Sequence, residues 1–243
     1  MTTYTLRIHP DPVTLARQAA EQVASVIDLA LAERDRAQIA LCGGQTPRSA
    51  YTQLGAEHLP WERVDVLLGD ERFVPPDHPD SNARMIRESL LLQEPARHAC
   101  FHPVPTEGDD PEIAASAYSA TLEQLCPGNP PCFDLMLLGL GDDGHTASLF
   151  PGTAAATVQD RWVTLGLGKG LPRITLTAPV LSAARQVIFL VSGAAKQEAL
   201  QRLLDPAEKA ERTPAKAVRP RSTVLVLADA DAAGDLQAGS HGA

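Results

Sequence analysis

The sequence predicts an α/β fold in which a mostly parallel sheet is covered by helices on both faces. Three observations predict it. Short apolar runs such as Val64–Leu68 and Phe133–Leu138 end in glycine, the pattern of strands buried on both sides. Longer stretches between such runs carry apolar residues at helical spacing. The two kinds alternate along most of the chain, as strand–helix–strand crossovers require.

From Asp11 to about Ala32, apolar residues recur at Leu15, Ala19, Val23, Val26 or Ile27, and Ala30, which is one face of a helix. Asp11 followed by Pro12 reads as its N-cap and first helical position. Gln38–Cys42 is a short strand running into Gly43 and Gly44, and Thr46-Pro47 opens a second helix in the same cap-then-proline manner. Val64–Leu68 is a buried strand ending at Gly69. Ser81-Asn82 caps a helix through about Leu92, and Pro111–Leu125 is another amphipathic helix. Phe133–Leu138 is the most apolar strand and ends in Gly139. Trp162–Leu167, Ile174–Thr177 and Val187–Val191 are further strands, Ala194–Leu204 a helix, and Thr223–Leu227 the last strand. The charged stretch from Asp205 to Arg221 holds Pro206, Pro214 and Pro220 and reads as a surface excursion. The small, polar tail after about residue 231 is expected to fray. No internal repeat and no Gly- or Pro-rich linker divides the chain, so residues 1–243 are expected to form one domain.

Composition narrows the function. Hydrophobic residues make up 44% and charged residues 21% of the 243, enough for a core that needs no disulfide or metal staple. The net charge of -9 disfavours non-specific nucleic-acid binding, which demands a basic surface. It also means that any anionic ligand must meet a local concentration of Arg and Lys. The four cysteines, Cys42, Cys100, Cys126 and Cys132, form no CxxC pair. Cys100 between His98 and His102 is the one hint of a metal site, but no fourth ligand lies nearby, and no metal is expected. The N-terminal ten residues lack the apolar core of a signal peptide, and no run approaches the roughly 18 apolar residues of a membrane span. A cytoplasmic protein with free thiols and no membrane partner is the expectation.

In open α/β sheets, ligands collect beyond the carboxyl ends of the strands. Four such ends carry unusual polar residues. In Cys42-Gly43-Gly44-Gln45-Thr46-Pro47, the glycines let backbone approach a ligand, and successive amides with a helix N-terminus favour an anion. A plain strand-to-helix turn would read the same way, and no lysine follows at Walker spacing. Gly69-Asp70-Glu71-Arg72 sets three charges after a buried strand, either a surface ion pair or a carboxylate and a guanidinium facing a substrate. In Gly139-Leu140-Gly141-Asp142-Asp143-Gly144-His145, His145 is the candidate base and Asp143 the group that orients it. The GxGxxG match within this segment is not a dinucleotide site, because Asp142 and Asp143 would face the pyrophosphate. Finally Arg173 and Lys196 sit at element boundaries from which they could reach a common cleft, with Lys169 a weaker third cation.

Taken together, GGQTP at Gly43–Pro47, GDERFVP at Gly69–Pro75, DSN at Asp80–Asn82, GLGDDGHTASLFPG at Gly139–Gly152 and PRITLT at Pro172–Thr177 resemble the glucosamine-6-phosphate isomerase/6-phosphogluconolactonase family. The resemblance runs from the first helix to the last strand and is most specific over Gly139–Gly152. It implies a three-layer αβα sandwich with a Rossmann-like sheet and no metal or organic cofactor. It also implies hydrolysis of 6-phospho-D-glucono-1,5-lactone in the cytoplasm. His145 would be the base and Asp143 its support, with Arg72 close to the lactone. Asp70 would fix Arg72 or meet sugar hydroxyls. Gly43, Gly44, Gln45, Thr46, Arg173 and Lys196 would hold the phosphate. The family usually has Ser or Thr at the position of Gln45 and often Ser at that of Cys42. Ser148 is not in a GxSxG elbow, which argues against a covalent nucleophile. Two alternatives share the pocket. A glucosamine-6-phosphate deaminase typically carries a further acid after the DGH segment, where this chain reads Thr146-Ala147-Ser148-Leu149-Phe150. A non-catalytic sugar-phosphate sensor would need an output surface, and no DNA-binding helix pair or basic patch is evident. The partner expected is a small phosphorylated lactone, and the sequence is compatible with a monomer.

Overall fold

The computed structural model describes residues 2–242, with side chains through residue 239. In chain order the first elements are β1 (Thr3–His9), α1 (Pro12–Glu33), β2 (Ala37–Leu41), α2 (Gln45–Leu54), β3 (Val64–Leu68) and β4 (Asp70–Arg72). Next come α3 (Asn82–Ile86), β5 (Cys100–Phe101), α4 (Pro111–Leu125), β6 (Leu135–Gly139), β7 (Val163–Gly168) and β8 (Leu171–Leu176). The chain continues through α5 (Ala178–Ala183), β9 (Gln186–Val191), α6 (Gln197–Leu204), β10 (Val224–Asp229), α7 (Ala230–Ala233) and β11 (Gly239–Gly242).

An eight-stranded sheet in the order β11-β1-β10-β9-β6-β2-β3-β5 forms the centre. Neighbours pair in parallel except β11, which runs antiparallel to β1. Every residue of β2 and β3 is buried, so both faces are covered, and helices flank the sheet. The α/β class with a mostly parallel sheet is therefore the observed one. Strand order reverses beside β2: from it the chain runs outward to β3 and β5, then returns to β6 on its other side and continues to β9 and β10. A crevice at such a switch point is where ligands bind in this architecture.

Three strands leave the parallel sheet. β4, β8 and β7 form a separate antiparallel sheet, whereas the sequence reading places no strand at Asp70–Arg72 and does not set the strands at Trp162–Leu167 and Ile174–Thr177 apart from the main sheet. Gly69 marks the exit: its amide still bonds to Leu41 O at 3.0 Å while its carbonyl accepts from Leu176 N at 3.0 Å. The chain thus changes sheets within one residue of β3.

Local signals set most helix ends. Asp11 caps α1 by accepting from Thr14 N at 2.8 Å, and Ser81 caps α3 through Arg84 N at 3.1 Å. The helix expected through Leu92 continues past α3 as a π-helical turn at Arg87–Leu91. The start of α2 differs by two residues: Gly44, at φ 122°, is the cap, and Thr46 and Pro47 lie inside the first turn. Proline is tolerated there because first-turn amides have no intrahelical acceptor.

Three expectations are corrected. Residues 3–9 form a strand that was not anticipated, its alternation of Tyr4 and Leu6 with exposed neighbours being the signal. The tail does not simply fray. Asp229 caps α7 through Ala232 N at 2.7 Å, and β11 closes the sheet edge against β1. The 205–221 stretch is not all surface either. Thr213, Ala215 and Val218 are fully buried, and Lys216 donates to the carbonyls of Leu203 and Asp205 at 3.2 and 2.8 Å, satisfying the end of α6.

Candidate active site

The turns after β2, β6 and β9 converge on one cleft of about 270 Å³. The antiparallel sheet supplies its far wall. Asp70 pairs with Thr175 across β4 and β8, and Arg72 with Arg173. Residues i and i+2 of a strand share a face, so Asp70, Arg72, Arg173 and Thr175 lie together on one side. All but Thr175 line the cleft.

Glu71 lies on the opposite face and does a different job. Its carboxylate accepts from Asn82 N and Ala83 N at 2.7 Å each, and from Ser81 Oγ at 3.2 Å. Burial raises its carboxyl against these hydrogen bonds. The GDER charges thus divide between cleft and scaffold by strand alternation. The sequence expectation that Asp70 fixes Arg72 is not what the contacts show. Asp70 accepts from Ser148 Oγ at 2.5 Å and stands 3.7 Å from Arg173 Nη1, while Arg72 Nη1 donates to Asp80 O at 2.5 Å. Ser148 is fully buried, donates to Asp70 and does not line the cleft.

The loop after β6 pairs a histidine with a carboxylate. Asp143 Oδ1 accepts from the His145 amide at 2.9 Å and lies 2.5 Å from its Nδ1. A carboxylate can only accept, so the proton resides on Nδ1. Nε2 is left as a free acceptor, with no protein partner among the described residues. Burial raises the Asp143 carboxyl, but the hydrogen bonds from His145 outweigh it and hold the carboxyl below its ordinary range. The fold of the loop depends on Gly141: a Cβ there would lie 2.0 Å from His145 Nδ1 and 2.6 Å from Asp143 Oδ1. From behind, the corrected 205–221 stretch supports the loop, Ala215 N donating to Gly144 O at 3.1 Å. Phe150 stacks on the imidazole with ring centroids 4.2 Å apart and lies 5.4 Å from the Arg173 guanidinium carbon.

The other end of the cleft is cationic. Gly43, Gly44, Gln45 and Thr46 bring the N-terminus of α2 to it, and Lys169 and Lys196 enter from the β7–β8 turn and the turn after β9. Neither lysine side chain has a hydrogen-bond or ion-pair partner among the described residues. Arg173 is 5% exposed, and burial pulls its guanidinium below the usual value against the opposing charge of Asp70. Amides, helix dipole and unpaired ammonium groups together suit a phosphate. Of the candidates read from sequence, all line the cleft except Asp143, which stands one contact behind His145. Sequence reasoning missed Asn82 and Ser192 as lining residues and Phe150 as the stacking partner. The Ser81-Asn82 pair is legible in sequence as a helix cap and within the DSN block of the resemblance, in neither case with a role in the site.

The hint of metal at Cys100 resolves differently. His102 Nε2 meets Asp65 at 2.9 Å, and no group of three or more His, Cys, Asp or Glu side chains among the described residues could hold a metal ion. Cys42, beneath the cleft, is pushed up to about 12 by burial and stays an inert thiol.

Fold and site define an α/β protein with a cationic cleft beside a carboxylate-paired histidine. Comparison with known proteins places it more narrowly. The profile described as glucosamine-6-phosphate isomerases/6-phosphogluconolactonase matches residues 10–227. A 6-phosphogluconolactonase of Synechocystis sp. is 46% identical over 226 residues, 92% of this chain and 94% of that one. One of Nostoc sp. is 40% identical, covering 96% of this chain and 98% of its own length. The solved 6-phosphogluconolactonase from Trypanosoma brucei superposes with a TM-score of 0.86 at 31% identity, covering 96% of this chain and 98% of that one. The chain belongs to the glucosamine-6-phosphate isomerase/6-phosphogluconolactonase family.

Proposed function

We propose that the chain hydrolyses 6-phospho-D-glucono-1,5-lactone to 6-phospho-D-gluconate, the lactone-opening step of the oxidative pentose phosphate pathway. The observation that carries the reading is the His145–Asp143 pair opening onto a cleft with unpaired lysines. High similarity to 6-phosphogluconolactonases over nearly the whole chain supports it.

In this reading the phosphate sits on the α2 N-terminus with Lys196 and Arg173, and Lys169 closes over it. The anchored ring presents its ester carbonyl to His145. Nε2 takes a proton as water attacks the carbonyl carbon. Arg72 or the loop amides stabilise the oxyanion. As the tetrahedral intermediate collapses, the bond from that carbon to the ring oxygen breaks, and the proton on Nε2 passes to the leaving oxygen. Asp143 stabilises the transient imidazolium, and Asp70 and Phe150 hold Arg173 and the imidazole in place. General-base catalysis contributes about 10²–10⁴ in rate, and an activated ester needs no covalent intermediate.

The test is proton release from freshly generated 6-phosphogluconolactone above its spontaneous hydrolysis. Strong acceleration is expected, with no ammonia released from glucosamine 6-phosphate. Ammonia release without lactone hydrolysis would reassign the chain to the deaminase branch. Saturable binding of the sugar phosphate without turnover would make it a sensor.

A further inference from the structure

Asn82 is 2% exposed, yet it lines the cleft beside Gly43. Its Nδ2 donates to Asp70 O at 2.9 Å. That carbonyl can only accept, so the amide orientation is settled and Oδ1 is the atom left over. Oδ1 accepts no hydrogen bond from the protein among the described residues, and it is not sealed away from solvent. Buried polar atoms are normally paired, so an open acceptor on a nearly buried side chain points to a ligand.

The residue is held firmly. Its amide donates to Glu71 at 2.7 Å, and Ser81 caps the turn it begins. The opposite wall makes room for it: a Cβ on Gly43 would lie 1.9 Å from Oδ1. Gly43 is thus needed where the amide oxygen stands, quite apart from any phosphate contact.

We propose that Asn82 Oδ1 is a preorganised acceptor for one hydroxyl of the bound sugar, and so a specificity-determining residue. This rests on the sugar-phosphate lactone reading above. A phosphate oxygen is a poor occupant of the position, because at neutral pH a phosphate monoester is mostly the dianion, which has no proton to donate to an amide oxygen. A ring hydroxyl between the anchored phosphate and the lactone carbonyl can donate one.

The experiment compares kcat/KM for 6-phosphogluconolactone and its 2-, 3- and 4-deoxy analogues in wild type and Asn82→Ala. Wild type is expected to disfavour one of the analogues by about 10–100-fold, as for a site that leaves a polar group unpaired. Asn82→Ala is expected to lose that discrimination and keep the others. A merely structural role would lower all four values together and leave their ratios unchanged, which would overturn the proposal. Gly43→Ala gives a second arm should Asn82→Ala fail to fold, since it displaces Oδ1 from the other wall and is expected to erase the same ratio. Wild-type hydrolysis with unaltered ratios in the variants defeats this proposal alone. No wild-type hydrolysis defeats the lactonase reading and this one with it.

Discussion

At the scale of single residues, the Asp143–His145 contact sets the tautomer of the imidazole. The carboxylate holds the proton on Nδ1 and leaves Nε2, on a side chain that lines the cleft, with no protein partner among the described residues. Because the Asp143 carboxyl is held below its ordinary range, it stays ionised as pH falls from neutrality, and on the proposed mechanism kcat/KM is expected to fall on the acid side with a single ionisation. Asp143→Asn removes the charge that favours the imidazolium. It is expected to lower kcat and to move the acid limb of the kcat/KM profile to lower pH; an unmoved limb would separate Asp143 from the base. The cations make a different prediction. Lys196→Ala and Arg173→Ala are expected to reduce the preference for phosphorylated over plain gluconolactone by about 10-fold or more each, as loss of a charge-assisted contact implies. Unchanged preference would remove them from the phosphate site. His145 was legible in sequence because a histidine after three glycines and two aspartates at a strand end is unusual. The true partner of Asp70 was not: strand alternation decides it, and the second sheet that creates the alternation leaves no mark in an apolar run.

At the scale of elements, the ends of two central strands are finished by tyrosines rather than by neighbouring strands. Tyr51 Oη on α2 donates to Cys42 O at 2.8 Å and accepts from Cys42 N at 3.1 Å. Tyr118 on α4 does the same for Leu68, at 2.8 Å in both directions. Each hydroxyl satisfies a backbone pair where its strand turns away toward the cleft. Tyr51→Phe strands two buried backbone groups and is expected to cost about 2 kcal/mol by urea unfolding; a loss within error would mean that water replaces the hydroxyl. Strands β2, β3, β6, β9 and β10 were legible as apolar runs, α1 as a capped helix and α4 as an amphipathic one. Segments whose burial depends on distant partners were not. The 205–221 stretch reads as charged surface, yet its core residues pack behind Gly144. The final strand has no apolar run at all and exists because β1 offers an edge.

At the scale of the whole molecule, a chain of net charge -9 concentrates unpaired cations where the strand order reverses. On the proposed reading, that placement reconciles an acidic protein with an anionic ligand and sets which end of the ligand faces His145. The parallel sheet brings glycine turns and His145 to one edge, and the antiparallel sheet brings Arg72 and Arg173 opposite them. The most direct test of this arrangement follows proton release from 6-phosphogluconolactone generated in situ, with wild type and His145→Ala side by side. Strong acceleration by wild type that falls by about 10²–10⁴ in a folded His145→Ala protein is the predicted result. Acceleration that survives the substitution would contradict His145 as the base.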